Sequence, residues 1–156
     1  MCDPNIIACK DWKNLLQQLI DSKAKININQ GIDARMLTDE KTEMIKRVRM
    51  ERVHFAWDRY EDKEIIIPKL KAFKEITGWK PQKMSVYVLT NFNTTIEQDL
   101  ERIYTLREIG YTPYIMIYNK EATKGNDAVR LIQRWVNNKR IFRTVKEFED
   151  YNHKKG

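Results

Sequence analysis

The chain has 156 residues, of which 33% are charged, 42% hydrophobic and 10% aromatic, and it carries a formal charge of +7 from 29 Lys and Arg against 22 Asp and Glu. Such a composition excludes disorder throughout and favours one soluble domain with a sizeable core. No stretch approaches the ~20 apolar residues of a membrane span, the N-terminus with Asp3 and Asp11 has no apolar signal-peptide core, and Cys2 and Cys9 form neither a zinc spacing nor a Cys-x-x-Cys redox pair; a cytoplasmic protein with no membrane partner and no metal held by its own residues is expected.

An opening helix is predicted over Asp11 to Ser22, where Trp12, Leu15, Leu16, Leu19 and Ile20 recur at helical spacing and Asp11 can cap the first turn. Lys25 to Asn29 reads as a strand, Gly31 as a turn, and Thr38 as the opening of a helix that runs through Met44, Ile45 and Val48. A strand over Arg52 to Trp57 follows. After Asp58 comes a helix with Ile66, Leu70, Phe73 and Thr77 on one face, in which Pro68 either begins the regular part or kinks it and which Gly78 and Pro81 end. The clearest strand is Ser85 to Asn91, and the clearest helix runs from Ile96 to Ile109, with a Thr95/Gln98 capping box and Gly110 as its stop.

Tyr114 to Tyr118 forms a last strand, and the polar segment Lys120 to Asp127 reads as a linker. Two helices finish the chain, one over Asp127 to Asn137 with Val129, Ile132 and Val136 inward, the other starting at Thr144 on a Thr-x-x-Glu box that ends in Glu147. From Lys120 onward there are 10 basic and 5 acidic residues, against 19 and 17 before it, so the excess charge sits in the tail. The division is therefore an α/β part over 1–119 and a basic helical extension over 120–156.

Four strands separated by helices imply parallel crossovers and an α/β fold, either an open sheet or a partial, incomplete (β/α) barrel of about four parallel strands. Within the strands the residues alternate. One phase holds Ile26, Ile28, Val53, Phe55, Val86, Val88, Ile115 and Ile117, and can pack on helices; the other holds Asn27, Asn29, His54, Ala56, Asp58, Tyr87, Leu89, Asn91, Tyr114, Met116 and Tyr118. A sheet with one face in water and a sheet lining a cleft both produce this alternation. Asn29, Asp58 and Asn91, near the C-terminal ends of three successive strands, favour the cleft, because α/β folds place their ligands there.

The segment Asn29-Gln30-Gly31-Ile32-Asp33-Ala34-Arg35 puts amides, a carboxylate and a guanidinium in one strand-to-helix loop. It suits a ligand with a carboxylate and hydroxyls, though an Arg35–Asp33 surface pair accounts for the same residues. His54, alone on its strand, reads as a hydrogen-bonded core residue rather than a base. No pair of carboxylates for acid–base hydrolysis and no phosphate-cradling Gly-rich loop is present. In the tail, Arg134-Trp135-Val136-Asn137-Asn138-Lys139-Arg140-Ile141-Phe142-Arg143 interleaves basic and aromatic residues. Arg134, Lys139, Arg140 and Arg143 could neutralise nucleic-acid phosphates, while Trp135, Ile141 and Phe142 read more simply as core anchors.

Asp3-Pro4-Asn5, the Asn29 to Arg35 segment, His54-Phe55-Ala56-Trp57-Asp58, Leu89-Thr90-Asn91-Phe92-Asn93-Thr94-Thr95 and Arg134-Trp135-Val136-Asn137-Asn138 resemble, in order, the later part of a bacterial and phage group of radical S-adenosylmethionine (radical SAM) proteins. The resemblance implies a partial (β/α)6 barrel, S-adenosylmethionine as cofactor, and a [4Fe–4S] cluster on a Cys-x-x-x-Cys-x-x-Cys loop from which a 5′-deoxyadenosyl radical is generated. That cysteine triad is absent, with Cys2 and Cys9 the only thiols. Strand by strand, the chain corresponds to the barrel's third strand onward, and Met1 directly before the first matching segment suggests a split or late-starting reading frame.

The resemblance places Asn29, Gln30 and Arg35 near the cofactor's polar groups and Asp58 and Asn91 at the barrel mouth. It implies a radical SAM-like fragment, catalytically incompetent alone and binding neither cofactor tightly, that is a remnant or a complementing half whose partner polypeptide carries the missing strands. The alternative is a nucleic-acid- or protein-binding module on a degenerate barrel. An unpaired edge at Lys25 to Asn29 would invite a homodimer.

Overall fold

A computed structural model describes residues 5–121 and 127–152. Helices α1 (Trp12–Ser22), α2 (Asp39–Arg47), α3 (Lys63–Thr77) and α4 (Ile96–Glu108) are interspersed with strands β1 (Ile26–Asn27), β2 (Ile32–Asp33), β3 (Met50–Trp57), β4 (Met84–Thr90) and β5 (Thr112–Ile117), and α5 (Asp127–Asn137) and α6 (Lys139–Thr144) follow. The strand pairings are parallel, in the order β1-β3-β4-β5, with β2 also on β3. This is the expected α/β architecture, an open partial β/α barrel with C-terminal helices. No described helix is long and apolar enough to cross a membrane.

Strand alternation decides which face the helices cover. Val53, Phe55, Trp57, Val86, Val88 and Ile115 are fully buried, whereas Tyr114 and Met116 on the opposite phase of β5 are 45% and 47% exposed. The buried phase meets Ile66, Leu70 and Phe73 of α3 and Ile103 and Leu106 of α4 in one core, with the rings of Phe55 and Phe73 edge to face at 4.9 Å. Trp135, Val136 and Phe142 from α5 and α6 join that same core.

A buried ion pair ties the core to the strand ends. Arg102 on α4 is 0% exposed and Asp99, one turn before it, 1%; Arg102 Nη2 donates to Asp99 Oδ1 at 2.6 Å and to the Leu89 carbonyl at 2.7 Å, and Nη1 to the Trp57 carbonyl at 2.9 Å. Asp99 Oδ2 in turn accepts from the Asn91 backbone N–H at 3.3 Å. One guanidinium thereby fastens the ends of β3 and β4 to α4.

The sheet stops at β5 because a side chain takes the place of a further strand. Asn137 Oδ1 accepts from the Ile115 N–H at 2.7 Å and its Nδ2 donates to the Ile115 carbonyl at 3.0 Å, a carbonyl that Gln133 also reaches at 3.2 Å. At the other edge, the five-residue strand expected at Lys25 to Asn29 is only β1, and a second two-residue strand, β2, follows in what reads from sequence as loop. The bulge between the two short strands breaks up the continuous edge that one long strand would present.

Several ends differ from expectation. Thr38, the Thr95/Gln98 box, Gly78 and Gly110 cap or stop their helices as read, but Asp11 does not cap α1, since its carboxylate accepts from the Asn14 side chain instead. Helix α3 starts five residues before Pro68, which stands inside it on the exposed side. The last helix does not begin at Thr144; it ends there. Asn138 caps it by accepting from the Arg140 and Ile141 N–H groups, and Thr144 Oγ1 donates back to the Arg140 and Ile141 carbonyls. Val145 is then extended, its carbonyl accepting from Trp135 Nε1 at 3.0 Å, and only a 3₁₀ turn at Phe148–Asp150 follows. Residues 122–126, most of the expected linker, and Cys2, Asp3 and Pro4 lie outside the described residues.

Removing Arg102 would leave the buried Asp99 carboxylate without its counter-charge and take a donor from the carbonyls of Trp57 and Leu89. Arg102→Met should lower the unfolding free energy by about 3–5 kcal/mol, while the Arg102→Met/Asp99→Leu double variant, which leaves no orphaned charge, should recover part of that loss. Urea unfolding midpoints of the three proteins measure it, and a single variant as stable as wild type would refute the role given to the pair.

Candidate functional site

The face of the sheet left free by the helices is built into a groove by the chain between β1 and β2. Asn27 pairs with Arg52 and Ile32 with Phe55, so four residues, 28–31, stand opposite two on β3 and bulge out of the sheet. The bulge folds over the open face, where Tyr87 Oη donates to the Asn29 carbonyl at 3.0 Å. Only glycine fits comfortably at its crossing point, because a Cβ on Gly31 would lie 3.1 Å from Ala56 Cβ and 3.2 Å from the Tyr87 ring.

Beneath the bulge the rings of His54 and Tyr87 stack at 4.9 Å and 12°, and Tyr114 meets Tyr87 edge to face at 5.7 Å. His54 is half-buried, and its Nδ1 has no hydrogen-bond partner. It is therefore not the hydrogen-bonded core histidine expected from sequence; an aromatic neighbour, not a polar one, holds it. Burial, followed by the positive charges of Arg52 and Lys139, pushes its imidazole below the ordinary histidine range.

The groove has a volume of about 960 Å³. Asn29 and Gln30 line it from the bulge, Asp58 stands just beyond the C-terminal end of β3, and Arg52, Lys139 and Arg143 line it elsewhere. Desolvation raises the Asp58 carboxyl above the usual range, against the pull of Arg102 and Arg35. The tail residues are brought in by Arg107, whose guanidinium lies 3.8 Å from the Phe142 ring centre and donates to the Phe142 and Lys146 carbonyls. Lys139 is held below the usual lysine range by burial first and then by Arg52 and Arg143. Three cations therefore crowd one wall.

Of the five residues expected to bind a cofactor, the structure gathers Asn29, Gln30 and Asp58. Arg35 does not line the groove. Its guanidinium forks onto both Asp33 oxygens at 2.8 to 3.1 Å and reaches Asp62 at 3.2 Å, which is the surface pairing that the sequence left open. Asn91, at φ 59°, turns the chain at the end of β4 and donates through Nδ2 to the Tyr118 carbonyl at 3.4 Å, away from the groove.

Of the tail residues, Lys139 and Arg143 reach the groove, and Arg134, Lys139 and Arg140 line an adjoining depression of about 990 Å³. Trp135 and Phe142 are buried as core anchors, so the tail offers charge but not those rings. Sequence reasoning missed Arg52 as a groove cation; its place on the polar phase of β3 was the available signal. No family model matches the chain, and neither a curated protein nor a solved structure is significantly similar to it.

The His54 imidazole reports on this charge cluster. In Lys139→Gln its pKa should rise toward the ordinary value of 6.5, as followed by NMR titration of its ring protons, and an unchanged value would place Lys139 elsewhere. Because the folded-state value lies below the unfolded one, protonation favours unfolding. The contribution of His54 to stability is thus fully present above about pH 6.5 and is lost as the pH falls toward the folded value.

Proposed function

We propose that these 156 residues form the later, ligand-presenting part of a radical SAM-like barrel, unable to carry out radical chemistry by themselves and acting as a remnant or as the complementing half of a cluster-bearing polypeptide. The observation that carries this reading is the gathering of Asp58, immediately beyond the C-terminal end of β3, with Asn29 and Gln30 of the neighbouring bulge in one groove on the sheet face that α3 and α4 leave open. Side-chain amides can bond ribose hydroxyls or a carboxylate, and Asp58 can accept from an ammonium or a hydroxyl.

The residues present do not fit the cluster. Its loop needs three thiolates, and the chain has two cysteines, of which Cys9 stands in the turn before α1. No group of three His, Cys, Asp or Glu side chains suited to a metal occurs among the described residues either. No radical step is therefore routed through this chain. The cluster would otherwise chelate the cofactor's amino and carboxylate groups, so binding by the amides and Asp58 alone should be weak.

An amide-shift titration with S-adenosylmethionine tests the reading. Small perturbations confined to Asn29, Gln30 and Asp58 and their neighbours, with a dissociation constant of the order of 1 mM, are expected, and Asp58→Ala should abolish them. Shifts confined to other surfaces, or none at ~10 mM, would end it.

A further inference from the structure

The opposite part of the groove carries different chemistry. Arg52 on β3 and Lys139 and Arg143 on α6 line the same groove, the two arginines both acting on Lys139, and none of the three has a carboxylate partner among the described residues. Arg52 has only a 3.3 Å bond to the Gln82 carbonyl. Asp58 is the single acidic residue lining the groove, and no acidic residue lines the adjoining depression, in both cases among the described residues. Cations held close together without counter-charges are stabilised when an anion enters.

Beside these cations lies aromatic surface. Tyr114 is 45% exposed, and its ring abuts the His54–Tyr87 stack. Tyr114 and Lys139 both line the groove and the adjoining depression, so the two form one continuous surface on which Arg134 and Arg140 continue the basic run. A flat, accessible ring between rows of unpaired cations matches a chain of alternating bases and phosphates whose base faces are free. A duplex offers no such faces, because its bases already stack on each other, and a single mononucleotide would leave the outer cations unused.

We propose that this face binds single-stranded nucleic acid, a base stacking on Tyr114 while Arg52, Lys139 and Arg143, and beyond them Arg134 and Arg140, neutralise successive phosphates. The site does not rest on the family reading. It uses the sheet's own aromatics, not those of the tail, and it calls on none of Asn29, Gln30 and Asp58.

Fluorescence anisotropy of the full chain with labelled oligo(U) and oligo(dT), each of about 12 nucleotides, tests it. Binding is expected at about 50 mM salt and should weaken steeply by about 200 mM, with a duplex of equal length bound at least ~10-fold more weakly; comparing the two oligomers tells RNA from DNA preference. Lys139→Gln/Arg143→Gln should reduce affinity at low salt by roughly 10-fold or more and flatten the salt slope by about two phosphate contacts. Tyr114→Ala should cost about 5- to 100-fold, and Tyr114→Phe should restore it. Since Tyr114 is a surface residue, unchanged unfolding midpoints will separate lost binding from lost folding. Absence of binding at about 50 mM salt, equal affinity for duplex, a wild-type affinity for Tyr114→Ala, or full competition by stoichiometric uridine monophosphate would each overturn the proposal.

Discussion

A guanidinium and a carboxylate shut away from water hold the strand ends of this protein in place. Arg102 and Asp99 lie one helical turn apart on α4, and between them they bind the carbonyls of Trp57 and Leu89 and the N–H of Asn91. Two buried charges cost several kcal/mol each to desolvate, a cost met only when nearly every lone pair and proton has a partner. Here Nη1 and Nη2 find their partners in Asp99 and in main-chain groups at the point where β3 and β4 stop and their loops begin, while the buried Nε of Arg102 has none. The position of Asp58, immediately after β3, and the left-handed turn at Asn91, immediately after β4, both follow from where Arg102 anchors the backbone.

The groove depends on that anchorage and on two local irregularities. A regular first strand would have left the sheet face flat; the bulge between β1 and β2, with Gly31 pressed on Ala56 and Tyr87, raises a wall of amides over it. On the other side, Asn137 satisfies the open edge of β5 while Arg107 grips the carbonyls of Phe142 and Lys146, so the basic tail is folded along the sheet. The two walls carry unlike chemistry, neutral amides on one and, on the other, cations with no carboxylate partner among the described residues.

His54 illustrates how the fold resets a side chain's chemistry. On β3 it shares a face with Arg52, and the tail brings Lys139 toward both. Its ring is stacked rather than hydrogen-bonded, and its neighbours are positive, so every influence on it favours the neutral form. A neutral imidazole is an uncharged, flat ring stacked on Tyr87, which makes the histidine part of the aromatic floor rather than a further positive charge.

Local periodicity determined much of the architecture directly from sequence. Alternation in Val86, Val88 and Ile115 against Tyr87, Tyr114 and Met116 separated a helix-covered from an open face, and Thr38, Thr95, Gln98, Gly78 and Gly110 marked helix ends, because these signals act through residues a few positions apart. Asp58 was legible for the same reason, standing just beyond the end of a predicted strand, whereas Asn29 and Gln30, read as lying at a strand end, stand in a bulge opposite the middle of β3. What tertiary structure alone decided involves distant partners. Asp62 reaches Arg35 across 27 residues, Tyr87 reaches the Asn29 carbonyl across 58, and Arg102 finds Trp57 across 45. The Thr144 box satisfies the local pattern for a helix start, yet the Asn138 cap and the bond from Trp135 to the Val145 carbonyl make it a helix end. Short-range patterns state which conformations a segment can adopt; contacts across the fold select among them, and only those contacts brought the tail cations to the aromatic face.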